Sequence, residues 1–232
     1  MSVPQNYLNY MSGLDVYQEL KDSILTLKLK PGQGISENEI ANLYNVSRTP
    51  IKSAFLRLKC EKYIEIVPQK GSYVTLLDMK YIKDIIYMRT VLELDMLKSI
   101  IDAGDVEPVV EKLEENLEQQ MRLIESENVN PNSFYAIDSA FHYCFFEAAG
   151  RENMWEVIQD CQVYYSRFRM LDTVVTARYK ELHAEHSKIV AALKNKDKQE
   201  LKACVYDHLH GNIRVLAKKI EGEYRGYFVQ HN

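Results

Sequence analysis

"NVSRTPIKSAFLRLK", residues 45–59, combines short hydroxyl side chains, two early cations and a proline at the start of a helical pattern. Pro50 fits the first turn of a helix, where its missing N–H costs nothing. Beyond it, Ile51, Phe55 and Leu58 recur at helical spacing, and we expect them to face a small core. The stretch therefore predicts a helix whose N-terminal turn is polar and cationic.

Two helical patterns precede this stretch, and two β-like runs follow it. The first pattern covers residues 14–29, and the second begins at Ser36, where Glu39 completes a capping box. After the central helix, residues 63–67 and 72–76 are rich in β-branched and aromatic side chains on either side of a Pro-Gln-Lys-Gly turn, which indicates a hairpin. Three helices followed by a hairpin predict a winged helix-turn-helix.

The cationic turn has the residue types that read DNA. In a helix-turn-helix the second helix presents its N-terminal turn to the major groove. Ser47 and Thr49 can reach a phosphate or a base edge, and Arg48 can donate two hydrogen bonds to a guanine. Lys52 lies one turn later on the same face, and Lys70 at the hairpin tip is suited to contact the DNA backbone or the minor groove. The alternative is a solvated helix start with incidental charge.

Charge and composition separate the two ends of the chain. The net charge of −4 divides into +2 over residues 1–80 and −6 over the remainder, which predicts different partners for the two parts. No basic leader and no apolar run of about 18 residues is present, so we expect neither secretion nor membrane insertion. The four cysteines are scattered without a Cys-x-x-Cys pair, which favours a reduced, cytoplasmic protein.

From residue 78 onward the sequence contains only helical patterns, about six of them. The breaks between them lie near residues 104–108, 128–132, 150, 171–176 and 195–197. We therefore predict a mostly α protein, with a winged helix-turn-helix over residues 1–77 and an all-α bundle over residues 78–232.

The helical part carries a carboxylate and histidines in a suggestive arrangement. Asp138 and His142 are four residues apart and share one helical face. Imidazoles with one carboxylate suit Zn²⁺, Ni²⁺ or a similar divalent ion. The spacing alone leaves open whether the histidines bind a metal or only pack against other side chains. The later candidates are His183, His186, His208 and His210.

"LKPGQGISENEIANLYNVSRTPIKSAFLRLKCEKYIEIVPQKGSYVTLLD", residues 29–78, resembles the DNA-binding domain of GntR-family transcription regulators. The resemblance implies a homodimer on a palindromic double-stranded operator, with contacts from the second and third helices and from the wing glycine, Gly71. Arg48 matches the family pattern. Lys52 and Asn38 stand where the family usually or often has arginine, and Lys62 stands where glycine is usual after the recognition helix.

The pattern Asp-x-x-x-His, then His-x-x-Ile-x-x-Ala-Leu, then a last-helix histidine is similar to the FCD-type ligand domain of the FadR subfamily. The resemblance implies that the metal ligands are Asp138, His142, His186 and His208. His183 and His210 would then lie behind the ligands or on the surface.

In metal-containing members of that subfamily the effector is typically a small organic acid bound at the metal. Arg89 matches an arginine common in the family and could pair with such an acid, or it could form a structural salt bridge with Glu93. Tyr164, Tyr165 and Arg167 form a second polar set, from which we select Tyr164 and Arg167 as effector-binding candidates.

The leading hypothesis is a transcription regulator, and more specifically a repressor. A small carboxylate effector bound at the metal would change its affinity for DNA. One alternative is a metal-free regulator that senses an acyl or other apolar ligand. The other is a metal-dependent hydrolase, because an ion with open positions could activate water. No general base is tied to the histidines by sequence, and a hydrolase would have no use for the winged domain.

Overall fold

The computed structural model describes residues 13–161 and 163–230. They form two compact units, one made of residues 13–77 and 226–230 and the other of residues 78–225. Among the described residues, no helix combines the length and the apolar character that crossing a membrane requires.

The first unit is a winged helix-turn-helix. The strand order is β1-β3-β2 and both pairings are antiparallel, with Gly34 opposite Tyr73 and Ile66 opposite Ser72. The first strand was not predicted, because two residues are too few to show an alternating pattern. The elements are α1 (Gly13–Leu25), β1 (Gly34–Ile35), α2 (Glu37–Tyr44), α3 (Arg48–Cys60), β2 (Ile64–Val67) and β3 (Gly71–Val74).

Left-handed residues end the helices of this unit. Helix α1 stops at Leu25, earlier than the pattern predicted, and Leu27 has φ 60°. Asn45 ends α2 with φ 51°, as expected for a turn residue that tolerates this conformation. Ser47 occupies the N-cap position of α3, but its side chain makes no capping hydrogen bond. Its hydroxyl is therefore not used to hold the helix end.

The C-terminal segment packs on the first unit. The backbone N–H of Leu77 donates to the carbonyl of Tyr227 at 2.8 Å, and Val229 N–H donates to the Leu77 carbonyl at 2.9 Å. Phe228 is 3% exposed. We expected this segment to belong to the helical domain. Its contacts with Leu77 are made by backbone atoms, and such contacts leave no periodic pattern in the sequence.

The second unit is entirely α-helical in its described part. Seven α-helices replace the six or so that were expected, and the break predicted at residues 171–176 lies inside α8, with the chain turning instead at Ala177, φ 49°. The helices are α4 (Met79–Ala103), α5 (Glu107–Ile124), α6 (Pro131–Ala148), α7 (Glu152–Cys161), α8 (Val163–Thr176), α9 (Tyr179–Lys194) and α10 (Lys198–Glu221), followed by a 3₁₀ turn at Arg225–Tyr227.

Capping residues fix where these helices begin. The side chain of Asp78 accepts hydrogen bonds from the first turn of α4, and Asn130 does the same for α6, which has Pro131 in its first turn. Helix α4 packs against α6, α8 and α10, while α9 packs against α5 and α10. Polar faces of α4, α6, α9 and α10 thereby meet in the interior of the bundle.

Candidate metal centre and nucleic-acid interface

The polar turn of α3 is exposed, and the apolar side of the same helix is buried. Ile51, Phe55 and Leu58 are 0% exposed and fill the core of the unit. The seven residues predicted to contact DNA are all exposed: Asn38, Ser47, Arg48, Thr49, Lys52, Lys70 and Gly71. The structure thus leaves available the whole set that the sequence selected.

The wing tip is a three-residue loop of fixed shape. Lys70 N–H donates to the Val67 carbonyl at 3.1 Å, and the Tyr73 hydroxyl donates to the Lys70 carbonyl at 2.9 Å. Gly71 has φ 114°, a backbone conformation that residues other than glycine rarely adopt. The loop therefore places the exposed Lys70 at the end of a hydrogen-bonded hairpin.

Four side chains from three helices converge in the helical unit. Helix α6 supplies Asp138 and His142, α9 supplies His186, and α10 supplies His208. All four are buried, and each offers a ligand atom within 4.8 Å of the others. The Nε2 atom of His208 lies 3.2 Å from that of His142 and 3.3 Å from that of His186.

Each histidine directs its other ring nitrogen at an oxygen. His142 Nδ1 lies 2.8 Å from Glu93 Oε2, and His208 Nδ1 lies 2.9 Å from Glu185 Oε2. An ionised carboxylate only accepts hydrogen bonds, so both rings carry their proton on Nδ1. In a neutral ring the lone pair then lies on Nε2.

A chain of amides imposes the same tautomer on His186. Its Nδ1 lies 2.9 Å from Gln120 Oε1. The amide nitrogen of Gln120 donates to Asn116 Oδ1 at 2.8 Å, and Asn116 in turn donates to the Ile137 carbonyl at 2.9 Å. Because the Gln120 nitrogen is engaged by Asn116, its oxygen faces the imidazole and must accept from Nδ1–H.

The donor set fits a divalent cation. The three Nε2 atoms face one another, and Asp138 Oδ1 lies 3.6 Å from His186 Nε2 with no hydrogen-bond partner among the described residues. Buried lone pairs in this arrangement repel one another unless a cation lies among them. Three imidazoles and one carboxylate, each imidazole held from behind by an oxygen, match the ligand preferences of Zn²⁺ and Ni²⁺.

Burial and neighbouring charges set the protonation of the site. Burial lowers the pKa of His142 to about 4 and holds that of His186 well below its usual value. Burial opposes ionisation of Glu93, but the charge of Arg89 and the hydrogen bond from His142 outweigh it and lower the pKa of Glu93 to about 2. Burial likewise opposes ionisation of Asp138, yet Arg169 holds its pKa well below the usual range. At neutral pH His142 and His186 are thus neutral while Glu93 and Asp138 are ionised, and a neutral imidazole and an ionised carboxylate are the forms that bind metals.

The effector-binding candidates have different surroundings. Arg89 Nε donates to Glu93 Oε1 at 2.7 Å, which is the salt bridge considered as the alternative role. Its two Nη atoms are buried and have no hydrogen-bond partner within the described residues. Tyr164 packs edge-on against Tyr81, with ring centroids 5.2 Å apart, and Arg167 is fully buried on α8.

Several residues that shape the site were missed by sequence reasoning. Arg169 forms a salt bridge with Asp138 Oδ2, and with Tyr165 it lines a small cavity beside that carboxylate. Gln120 and Glu185 orient two of the histidines. Glu185 directly precedes His186 in sequence but supports His208, so no spacing pattern could have assigned it. Among the predicted residues, His183 is half-buried outside the cluster, and His210 stacks on Tyr206 with ring centroids 4.0 Å apart.

Two family profiles match the chain. Residues 13–74 match the bacterial regulatory proteins of the gntR family, and residues 84–211 match the FCD domain. The two matches coincide with the winged unit and with the helical unit that holds the four-residue cluster.

Similar proteins include regulators from several bacteria. The HTH-type transcriptional repressor RspR of Escherichia coli is 27% identical over 92% of both chains. The gluconate operon transcriptional repressor of Bacillus subtilis is 28% identical, covering 94% of this chain and 89% of that protein. An uncharacterised HTH-type transcriptional regulator of Streptomyces ambofaciens is 29% identical, covering 84% and 80%.

Solved structures share the fold. The E. coli protein McbR/YncC superposes with a TM-score of 0.66 at 21% identity, covering 89% of this chain and 97% of that one. A transcriptional regulator GntR from Rhodococcus sp. RHA1 gives the same TM-score at 18% identity. The relatives from E. coli, Bacillus subtilis and Streptomyces ambofaciens are named as transcriptional regulators or repressors, which argues against the hydrolase alternative. With both profiles matched on the two units just described, the chain belongs to the GntR family of bacterial transcription regulators and carries an FCD domain.

Proposed function

We propose that this DNA-binding transcription regulator is a metal-dependent repressor. A divalent ion, Zn²⁺ or Ni²⁺, is held by Asp138, His142, His186 and His208, and a small organic acid bound at the ion controls operator binding. The observation that carries the proposal is the convergence of three Nε2 atoms, 3.2–3.3 Å apart in successive pairs, on a buried carboxylate.

The support comes from the partners of the histidines. A histidine that only packs in a core needs one hydrogen-bond partner for each ring nitrogen. Here each Nδ1 has an oxygen partner, while each Nε2 faces only other ligand atoms. The alternative of a metal-free regulator leaves this arrangement without a stabilising charge.

The DNA partner is a double-stranded operator bound by a homodimer. One recognition helix reads only a few base pairs. The α3 helix and wing of a second copy therefore bind the other half-site of a palindromic operator. A change in the helical unit that alters the spacing of the two recognition helices changes operator affinity. We retain Arg89, Tyr164 and Arg167 as effector-binding candidates; the buried Nη atoms of Arg89, which have no hydrogen-bond partner within the described residues, are the strongest support among the three.

Metal content tests the central claim. The purified chain, stripped with a chelator and reloaded with Zn²⁺, should hold about one ion per chain by elemental analysis. The variants His186→Ala and Asp138→Ala should lose it. His183→Ala is the matched control, because His183 lies on the same helix outside the cluster and should retain the ion.

A mobility-shift assay connects the ion to function. The loaded protein should retard operator DNA, and the retarded fraction should respond to small organic acids only when the ion is present. A protein that binds no ion after reloading, or whose ion survives both cluster substitutions, would exclude the proposed site and favour the metal-free regulator.

A further inference from the structure

The chain leaves the winged unit and later returns to it beside the point of departure. It crosses into the helical unit between Leu77 and Asp78, and it crosses back between Arg225 and Gly226. Inside the winged unit, Leu77 forms a parallel bridge with Phe228. Paired backbones lie about 5 Å apart, so the two segments that flank the helical unit are held side by side. The two crossings together are called the joint below.

The outgoing chain is fixed on both sides of its crossing. The N–H of Leu77 donates to the Tyr227 carbonyl at 2.8 Å, and the Leu77 carbonyl accepts from Val229 N–H at 2.9 Å. The Leu77 side chain is 0% exposed. The next residue, Asp78, caps α4 with its side chain. Both residues at this crossing are therefore held by hydrogen bonds, unlike the residues of a flexible linker.

The returning chain is short and is held as well. Helix α10 ends at Glu221, and the 3₁₀ turn Arg225–Tyr227 leads directly into the paired segment. Between them, Tyr224 N–H donates to the Lys219 carbonyl at 2.9 Å. Phe228 is 3% exposed. A buried aromatic ring contributes more stabilisation than a typical backbone hydrogen bond, so Phe228 is the main anchor of this segment.

Two paired crossings restrict movement more than one crossing does. A single peptide linker rotates about two soft dihedral angles in each residue. Here the second segment has to move with the first, so a rotation at one crossing breaks the bridge at Leu77 or withdraws Phe228 from its buried position. The joint therefore resists bending for as long as the C-terminal segment stays paired.

Such a restraint matters when two winged units bind one operator. Binding of the second unit is then intramolecular, and its effective concentration depends on whether the joint permits the required distance. Half-sites lie at fixed helical spacing on the DNA. A stiff joint consequently favours one separation of the half-sites, whereas a loose joint spreads over many separations and favours none of them strongly.

We propose that the C-terminal segment, residues 226–230, determines how strictly this regulator selects the spacing between its two operator half-sites. Phe228 and the backbone N–H of Val229 are the positioning groups, because they act through the joint and not through contact with a base. The inference rests on the proposed homodimer on a palindromic operator and is independent of the proposed metal site.

Operators of altered spacing test the inference on the full-length protein. An operator selected from genomic DNA is compared, by fluorescence anisotropy, with versions whose half-sites are one base pair closer or farther apart and with a single half-site. The wild type should bind each altered operator tenfold or more weakly. Equal binding to all spacings would overturn the inference alone. Equal binding to the single half-site and to the full operator would refute the proposed homodimer, and the inference with it.

Val229→Pro removes the N–H that donates to the Leu77 carbonyl, whereas Val229→Ala keeps it and shortens a side chain that is 37% exposed. The proline variant should bind the full operator tenfold or more weakly than the wild type, yet bind the half-site within twofold of it. Altered spacing should cost this variant less than threefold. The alanine control should match the wild type in every assay.

Phe228→Ala provides a second release of the segment and serves if the proline variant does not fold. It should reproduce the loss on the full operator and the tolerance of altered spacing. Equal losses on the half-site and the full operator would show that the segment only stabilises the winged unit. That result, or a spacing preference as strict as that of the wild type in the folded variants, would overturn the inference.

Discussion

The Nε2 atoms of His142 and His208 lie 3.2 Å apart in the interior of the helical unit, although each ring has its Nδ1 hydrogen committed to a carboxylate. Two acceptor lone pairs at this distance are stabilised by a positive charge and by little else. The hydrogen bonding of the site therefore predicts a cation between these atoms, and the first two predictions concern that cation.

Binding of Zn²⁺ should stabilise the folded protein. A ligand that binds only the native state at a free concentration 100 times its Kd adds about 2.7 kcal/mol to the free energy of unfolding. For a protein of this size we expect Tm to rise by roughly 5–10 °C and to return on addition of a chelator. Differential scanning calorimetry measures both. Asp138→Asn should show little response, and an equal response in that variant would place the ion elsewhere.

Gln120 should matter for metal affinity although it touches no ion. Gln120→Leu removes the acceptor of His186 Nδ1–H, and loss of such an orienting partner typically costs 10- to 100-fold in affinity. Competition with a chromogenic chelator measures the change in Kd. Gln119→Leu is the matched control, because Gln119 is exposed on the same helix and should leave affinity unchanged. Equal effects of the two substitutions would contradict the orienting role.

Arg48 should carry much of the sequence recognition. Arg48→Ala removes an exposed guanidinium from the first turn of α3, and loss of a specific base contact costs about 1–3 kcal/mol, or roughly 10- to 100-fold in Kd. Fluorescence anisotropy with an operator fragment selected from genomic DNA measures it. Lys59→Ala, at the exposed last turn of the same helix, should change affinity less than threefold. A reversed order would show that the other end of α3 reads the DNA.

Lys62→Gly should stabilise the winged unit. Lys62 has φ 63°, and the left-handed conformation costs a residue with a side chain roughly 1–2 kcal/mol. Glycine avoids this strain but loses more conformational entropy on folding, so we expect a net gain of about 0.5–1 kcal/mol. Urea unfolding measures the difference. Lys59→Gly, inside the last turn of α3, should instead destabilise by a similar amount.

Glu93 should make the stability of the ion-free protein depend on pH. Its pKa in the folded state is about 2, below the ordinary value of 4.5, so its ionised form stabilises the fold above pH 4.5 and this contribution is lost as pH falls toward 2. The difference in unfolding free energy between wild type and Glu93→Gln should narrow by about 2 kcal/mol from pH 5 to pH 3. Denaturant titrations of both proteins at several pH values measure this difference. A constant difference would mean that Glu93 is not the group responsible.

Local patterns were sufficient for the three helices and the hairpin of the winged unit. A recognition helix and a hairpin are built from contacts between residues close in sequence. A few neighbouring residues therefore suffice to identify the proline of α3, the apolar positions after it and the glycine of the wing. The same is true of Asp138 and His142, which one helical turn brings together. Lys62 shows the limit of such patterns, since it adopts the left-handed turn in which the family usually has glycine.

The sequence by itself therefore determined the helix-turn-helix with its cations, the helical character of the remainder and the shared helical face of Asp138 and His142. The choice of His186 and His208 came from the resemblance to the FCD domain. Only the tertiary structure decided how the cluster is supported. Gln120, Glu93 and Arg169 come from three different helices, and their roles depend on which atoms face one another after packing. The position of the C-terminal segment on the winged unit was also decided only by the tertiary structure. Contacts between residues more than a hundred positions apart leave no period in the sequence. They arise from the packing of separate elements and not from the geometry of any one of them.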